Sequence, residues 1–186
     1  WCALKDSKYE DEILDDIISM PLDYAFMNEK IILKQLENKR LKDNSGKLRY
    51  LLGLMYAGVG RWEEAQIEFI AAYNKGLKYT VLLRNIGYIY YKHLNNTDNA
   101  KKYLEEDLIE NEGRNADTII LLNDIYKGEG CLDKRERLIY YMEKVKNRSL
   151  VLMPWIEILK DLGREEDAMD MLNKEEFENW EGAEIS

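Results

Sequence analysis

A chain of 186 residues with 46% apolar and 34% charged side chains has enough material for one domain with a substantial core or for a short repeat array, and is too apolar to stay disordered. Its formal charge of −9 speaks against nonspecific binding to nucleic acid or to an acidic membrane, because both would repel it. With two prolines against eleven glycines long helices are favoured over strands, and no apolar run approaches the ~18 residues of a membrane span.

In chain order, the opening residues Trp1 to Leu4 read as the severed end of an earlier helix, and a start on Trp1 rather than Met reads as that of an excised piece. Ile13, Ile17 and Ile18 predict a helix over about 9–20, and Met27, Ile31, Leu33 and Leu36 a longer one over about 22–42. Together they make an irregular leading pair over residues 1–45. Breaks then fall at Asp43 to Gly46, Gly58 to Gly60, Asn95-Asn96, Gly113, Gly128 to Gly130, Arg148-Ser149 and Gly163. The stretches between them, about 12 to 16 residues each, have the rhythm of helical hairpins. The acidic end "KEEFENWEGAEIS" is expected to fray after about residue 179. Cys2 and Cys131 lie far apart with no metal-ligand spacing and read as two reduced core thiols, with a disulfide between them as the alternative.

Internal periodicity is the decisive test. Ala65 in "GRWEEAQIEF" corresponds to Ala100 in "NNTDNAKKYL", Arg135 in "GCLDKRERLI" and Ala168 in "GREEDAMDML", at spacings of 35, 35 and 33 residues. Five places earlier stand Gly60, Asn95, Gly130 and Gly163, where a first helix has to end in a left-handed residue. Four places later stand Phe69, Leu104, Ile139 and Leu172, and upstream lie Tyr56, Tyr90, Tyr126 and Leu159. Small Gly53 and Ala65 mark a close approach of two helices. Arg135 does not fit an alanine niche, so the third hairpin is expected to splay or to release its guanidinium to solvent.

These columns resemble the tetratricopeptide repeat family, a helix-turn-helix of about 34 residues. The resemblance covers about three quarters of the chain, as copies over 46–79, 80–114, 115–148 and 149–182, with a tail over 183–186. The first copy carries Leu52, Gly53, Tyr56, Ala65, Phe69 and Ala72. The second keeps Ile86, Gly87, Tyr90, Ala100 and Leu104, with one extra residue in its turn. The last two are degenerate, with Asn123 and Ile156 in place of the small residue and Arg135 in place of the alanine. The fold so implied is all-α, a right-handed α-α superhelix of about four hairpins behind the leading pair.

No catalytic constellation is visible, and no enzyme activity is expected of the chain itself. Gly58-Val59-Gly60 follows a helix and precedes no Gly-Lys-Ser/Thr, so it reads as a turn and not as a phosphate loop. His93 is the single histidine, which excludes a histidine metal cluster, and it reads as a solvated helix end. The paired carboxylates Asp15-Asp16, Glu63-Glu64, Glu105-Glu106 and Glu165-Glu166 read as solvated faces beside Lys or Arg. "DNSGK" lacks the spacing of a calcium loop. No cofactor and no metal are expected.

The resemblance implies a concave ligand face built from the first helix of each hairpin. Carried over place by place, it gives Lys47, Tyr50 and Leu54, then Arg84, Asn85, Tyr88, Tyr91 and Lys92, then Asp117, Ile120, Asp124 and Lys127, and finally Met153, Glu157 and Lys160. The second group is the strongest, since two tyrosines beside Arg, Asn and Lys suit an extended peptide bearing a carboxylate. Tyr50 and Leu54 stand where the chaperone-tail binders of the family have a Lys and Asn pair, which argues against that ligand. The expected role is a non-catalytic scaffold binding a protein or peptide in the cytoplasm, with Trp155, Phe177 and Trp180 near a possible homodimer surface. Two other readings stand beside it. "NEKIILKQLENKRLKDNSGKLRYLLGLMYAGVGRWEEAQIEF" is similar to the junction that leads into the repeat tails of family-2 glycosyltransferases, which would make the chain an accessory tail. A secretion chaperone or peptide sensor of repeat type is the third.

Overall fold

The computed structural model describes residues 30–41 and 44–173, which divide into two compact units, one up to Ala100 and one from Lys101. Regular structure among the described residues is entirely helical. The helix expected over 9–20, the first part of that over 22–42, Trp1 to Leu4, Cys2, Phe177, Trp180 and the acidic tail lie outside the described residues.

The first unit contains α1 (Lys30–Arg40), α2 (Gly46–Gly58), α3 (Trp62–Asn74) and α4 (Leu82–Lys92). The Asn44-Ser45-Gly46 break is a helix start: Ser45 Oγ accepts from the Leu48 N–H at 3.3 Å and satisfies one of the orphan donors of α2. Only Val59, Gly60 and Arg61 separate α2 from α3, so the two helices run antiparallel and pack along their length. Gly53 is required there, because a Cβ at this place would lie 2.4 Å from Phe69 Cδ1. Ala65, Phe69 and Ala72 are buried on the facing side.

Two polar contacts tie α1 to this hairpin. Buried Glu68 of α3 receives Arg40 from the end of α1 and Arg49 of α2, the latter at 2.8 Å. Tyr56 of α2 donates its hydroxyl to Glu37 of α1 at 2.6 Å. The tyrosine column is used in the same way further along, where Gln66 of α3 donates to the Tyr90 hydroxyl of α4. Thus each of these rings fills apolar space while its hydroxyl is satisfied by the preceding helix.

Helix α5 (Thr97–Glu110) starts in the first unit and continues in the second, so the division falls inside the expected second repeat. The second unit goes on with α6 (Ala116–Gly128), α7 (Leu132–Met142), a single 3₁₀ turn (Arg148–Leu150), α8 (Leu152–Asp161) and a helical stretch at 165–173. Here Tyr126 donates to Glu105 at 2.6 Å.

The four matched turn residues share one backbone state. Gly60, Asn95, Gly130 and Gly163 have φ of 77°, 49°, 68° and 70°, the left-handed region that glycine enters freely and Asn tolerates. After three of them the next N–H closes a six-to-one bond onto the tyrosine or leucine column: Arg61 to Tyr56 at 2.9 Å, Cys131 to Tyr126 at 2.9 Å and Arg164 to Leu159 at 2.8 Å. After Asn95 the Asn96 N–H reaches Tyr90 at 2.9 Å across one more residue, which is how the longer turn is absorbed.

The third hairpin departs from expectation in one respect. Arg135 does not release its guanidinium to solvent; the residue is 4% exposed. Its Nε donates to Asn123 Oδ1 at 2.9 Å, and its two other nitrogens reach Asp161 and, at 3.3 Å, Glu157 of α8. Of the two alternatives expected, the release to solvent is thus ruled out, and α6 and α7 share fewer close approaches than α2 and α3. The larger Asn123 and Arg135 are a buried, hydrogen-bonded pair between these helices.

Cys131 is also not a core thiol. It is a free cysteine, half-buried, on the turn before α7, with its Sγ 3.9 Å from the Glu129 carbonyl oxygen. The turn position, rather than hydropathy, decides its exposure.

Candidate functional site

The expected ligand face concentrates on α4. Arg84, Tyr88 and Tyr91 stand at i, i+4 and i+7 and therefore on one stripe, with Asn85 and Lys92 beside it. The Arg84 guanidinium lies over the Tyr88 ring at 5.2 Å, and the Lys92 ammonium over the Tyr91 ring at 4.5 Å. Arg84 also donates to Asn85 Oδ1 at 3.0 Å. Tyr88 and Tyr91 are half-buried and Lys92 is exposed. Flat aromatic surface and cationic donors are thus offered together on this helix.

Tyr50 does not belong to that face. It is 2% exposed, its ring packed 5.3 Å from Phe69 and 5.3 Å from Tyr79, so a ligand has no access to it. Its hydroxyl accepts from Asn85 Nδ2 at 3.1 Å, and that bond fixes the amide of Asn85 in the α2–α4 contact. Lys47 and Leu54 are half-buried on α2. Asp124 and Lys127 belong to the second unit, on α6, where Asp124 is half-buried and exposed Lys127 pairs with Glu157 of α8. Met153 stands out on α8 at 70% exposure, whereas Trp155, expected near a homodimer surface, is itself buried at 8%. An apolar indole finds core neighbours on α8 more readily than solvent.

His93 is a packed residue and not a solvated cap. It follows α4 as its C-cap, yet its ring stacks on Trp62 of α3 at 3.5 Å and 9°, and meets Tyr88 edge-on at 5.5 Å. Its Nε2 is buried without a hydrogen-bond partner among the described residues. His93 thus braces Tyr88 along one edge, while the Arg84 guanidinium lies over the ring.

Of the paired carboxylates, Asp15-Asp16 lie outside the described residues and Glu165-Glu166 are exposed. Glu64 pairs with Arg61 at 2.8 Å, which lowers the carboxyl pKa through that hydrogen bond. Glu105 is not merely solvated, because it takes the Tyr126 hydroxyl. Tyr56 is pushed up to about 12, first by burial and then by its bond to Glu37, and Tyr126 is raised by burial and by Glu105.

Two buried carboxylates escaped the sequence reading. Glu68 holds two arginines, and Asp107 accepts from Asn111 at 2.8 Å, from Asn115 at 3.5 Å and from Thr118. The Asp107, Asn111, Asn115 spacing of four and four was a usable signal, while nothing local to Glu68 announces its arginines. Among the described residues no three His, Cys, Asp or Glu side chains gather into a set able to hold a metal ion, and no helix is long and apolar enough to cross a membrane.

Comparison with known proteins finds no family model, no curated protein and no solved structure that matches this chain. What the described residues define is an all-α protein of helical hairpins with an aromatic and cationic face on α4.

Proposed function

We propose that the chain is a non-catalytic protein-binding module of the tetratricopeptide repeat type, and that the α4 face holds an extended peptide bearing a carboxylate. The repeat reading is supported by the left-handed residues at Gly60, Asn95, Gly130 and Gly163, which stand at one place of each copy. It is supported too by burial of the matched columns, among them Leu52, Ala65, Phe69, Ile86, Ala100 and Leu104. The binding reading rests on one observation: Arg84, Tyr88, Tyr91 and Lys92 share one face as two cation–ring pairs. Aromatic rings with few rotatable bonds lower the entropy of ordering a ligand, and a charged guanidinium or ammonium gives a charge-assisted hydrogen bond to a carboxylate.

The test is capture of partners by the wild-type chain and by Arg84→Glu/Tyr88→Ala, compared after circular dichroism shows equal helix content. Loss of the captured partners in the double variant is the expected result. An unchanged set of partners would show that α4 is not the binding face.

A further inference from the structure

A second site, independent of the α4 face, is built in the unit that begins at Lys101. A cleft of about 470 Å³ opens between the loop leading into α6 and the loop that follows α7. Its floor is apolar, formed by buried Ala116 and Val145, with exposed Leu150 on one side. Its rim carries Arg114, Lys144 and Lys146 against two carboxylates, Glu112 and Asp117. In a chain of formal charge −9 this is a local reversal of sign.

The cations are not equivalent. Arg114 is occupied by Glu112 at 3.0 Å. The Lys144 ammonium is held in place, since it donates to the Tyr140 hydroxyl at 2.8 Å and lies 4.0 Å from the centre of that ring. Hydrogen bonding to Tyr140 also raises its pKa, so it stays charged. Lys146 makes no ion pair or hydrogen bond among the described residues and is free to meet a ligand. The cap residue of α6, Asn115, makes no side-chain cap bond to the first turn and directs its amide to Asp107, which leaves first-turn N–H groups beside the cleft.

An apolar floor below a cationic rim selects a ligand with both parts. A free inorganic anion would leave Ala116, Val145 and Leu150 unused, and a neutral apolar group would leave Lys146 unused. We propose that this cleft binds the carboxylate of a small ligand with an aliphatic body, such as the C-terminal residue of a peptide, with Lys146 and Lys144 on the carboxylate and the aliphatic part on Ala116 and Val145.

The experiment is a titration of the isotopically labelled full chain, followed by NMR, with N-acetyl-leucine, N-acetyl-leucinamide and inorganic phosphate. N-acetyl-leucine should shift the amide resonances of Ala116, Val145 and Asn147 and saturate at about millimolar concentration, the range of a ligand of this size. The leucinamide and phosphate should each bind at least about fivefold more weakly, and Lys146→Glu, which removes no hydrogen bond or ion pair among the described residues, should weaken the acid by a similar factor. The assignment is overturned if the acid leaves those resonances unmoved, if the amide or phosphate binds within about twofold of it, or if Lys146→Glu has no effect. Shifts at Tyr88 and Tyr91 instead would also overturn it. Because no α4 residue lines the cleft, failure here leaves the peptide face on α4 standing, and the reverse holds too.

Discussion

Gly53 provides the sharpest check on how the first hairpin is held. Replacing it by alanine inside a helix would normally add about 0.5–1 kcal/mol of stability, because glycine loses more backbone entropy on folding. Here the new Cβ would lie 2.4 and 2.5 Å from Cδ1 and Cε1 of Phe69, about 1 Å inside the ~3.5 Å contact distance of carbon atoms. The ring has nowhere to retreat, being 1% exposed and backed by Tyr50 at 5.3 Å. Overpacking of this kind costs about 1–3 kcal/mol, so Gly53→Ala should destabilise by about 1–2 kcal/mol despite its better propensity. Gly128→Ala is the internal control, since nothing lies within 4 Å of its added Cβ; it should be neutral or stabilise by up to about 1 kcal/mol. In urea, with a slope of about 2 kcal/mol/M, the midpoint should fall by about 0.5–1 M for Gly53→Ala and stay or rise for Gly128→Ala. A Phe69→Leu background should relieve much of the Gly53→Ala loss, because the two sites touch. Equal midpoint changes for the two alanines, or a rise for Gly53→Ala, would refute the close approach of α2 and α3.

Arg135→Ala should cost about 2 kcal/mol, because it strands the buried Asn123 amide, while its bonds to Asp161 and Glu157, 44% and 39% exposed in their side chains, are partly screened. Adding Asn123→Ala should recover a measurable part of that loss in thermal melts, and strict additivity of the two changes would count against a matched pair. For the tyrosine column the sign follows from the raised folded pKa of Tyr56, about 12 against 10.0. The neutral phenol is favoured by folding, so its contribution is complete below pH 10 and is lost as the pH climbs toward 12, by an amount of order 2 kcal/mol. Urea midpoints at several pH values above 9 measure this, and Tyr56→Phe should flatten the decline; an unchanged slope in that variant would sink the assignment.

The fold was legible where backbone chemistry repeats. Asn95 stands among three glycines because a helix end needs a left-handed residue, and side-chain identity matters less there than φ. The same left-handed state recurs at Gly130 and Gly163, where the packing residues nearby match the first hairpin less well. What was not legible at Arg135 is compensation: one residue read alone predicts a misfit, whereas Asn123 and two carboxylates of α8 accept it. Such partners lie 12 to 26 residues away along the chain, beyond any local pattern. Glu68 was hidden for the same reason, with Arg49 and Arg40 at separations of 19 and 28.

The candidate face was legible as a helical stripe but not in depth. Spacing tells which residues share a side of α2 or α4, and it is silent about which neighbour covers that side. Tyr50 illustrates the difference. Its place on α2 suits a groove, yet Phe69 and Tyr79 enclose its ring, and the cheapest way to satisfy the buried hydroxyl is the amide of Asn85. One expected ligand contact has therefore become core, and a second, Asn85, has become the support that holds it. His93 acts likewise on Tyr88, bracing the ring through its own stack on Trp62. Residues that brace one another in this way leave a smaller face than the stripe alone suggested, made of Arg84, Tyr88, Tyr91 and Lys92. On the proposed reading a braced ring has less freedom to lose on binding, and the double change at Arg84 and Tyr88 removes both the charge and the ring that the bracing serves.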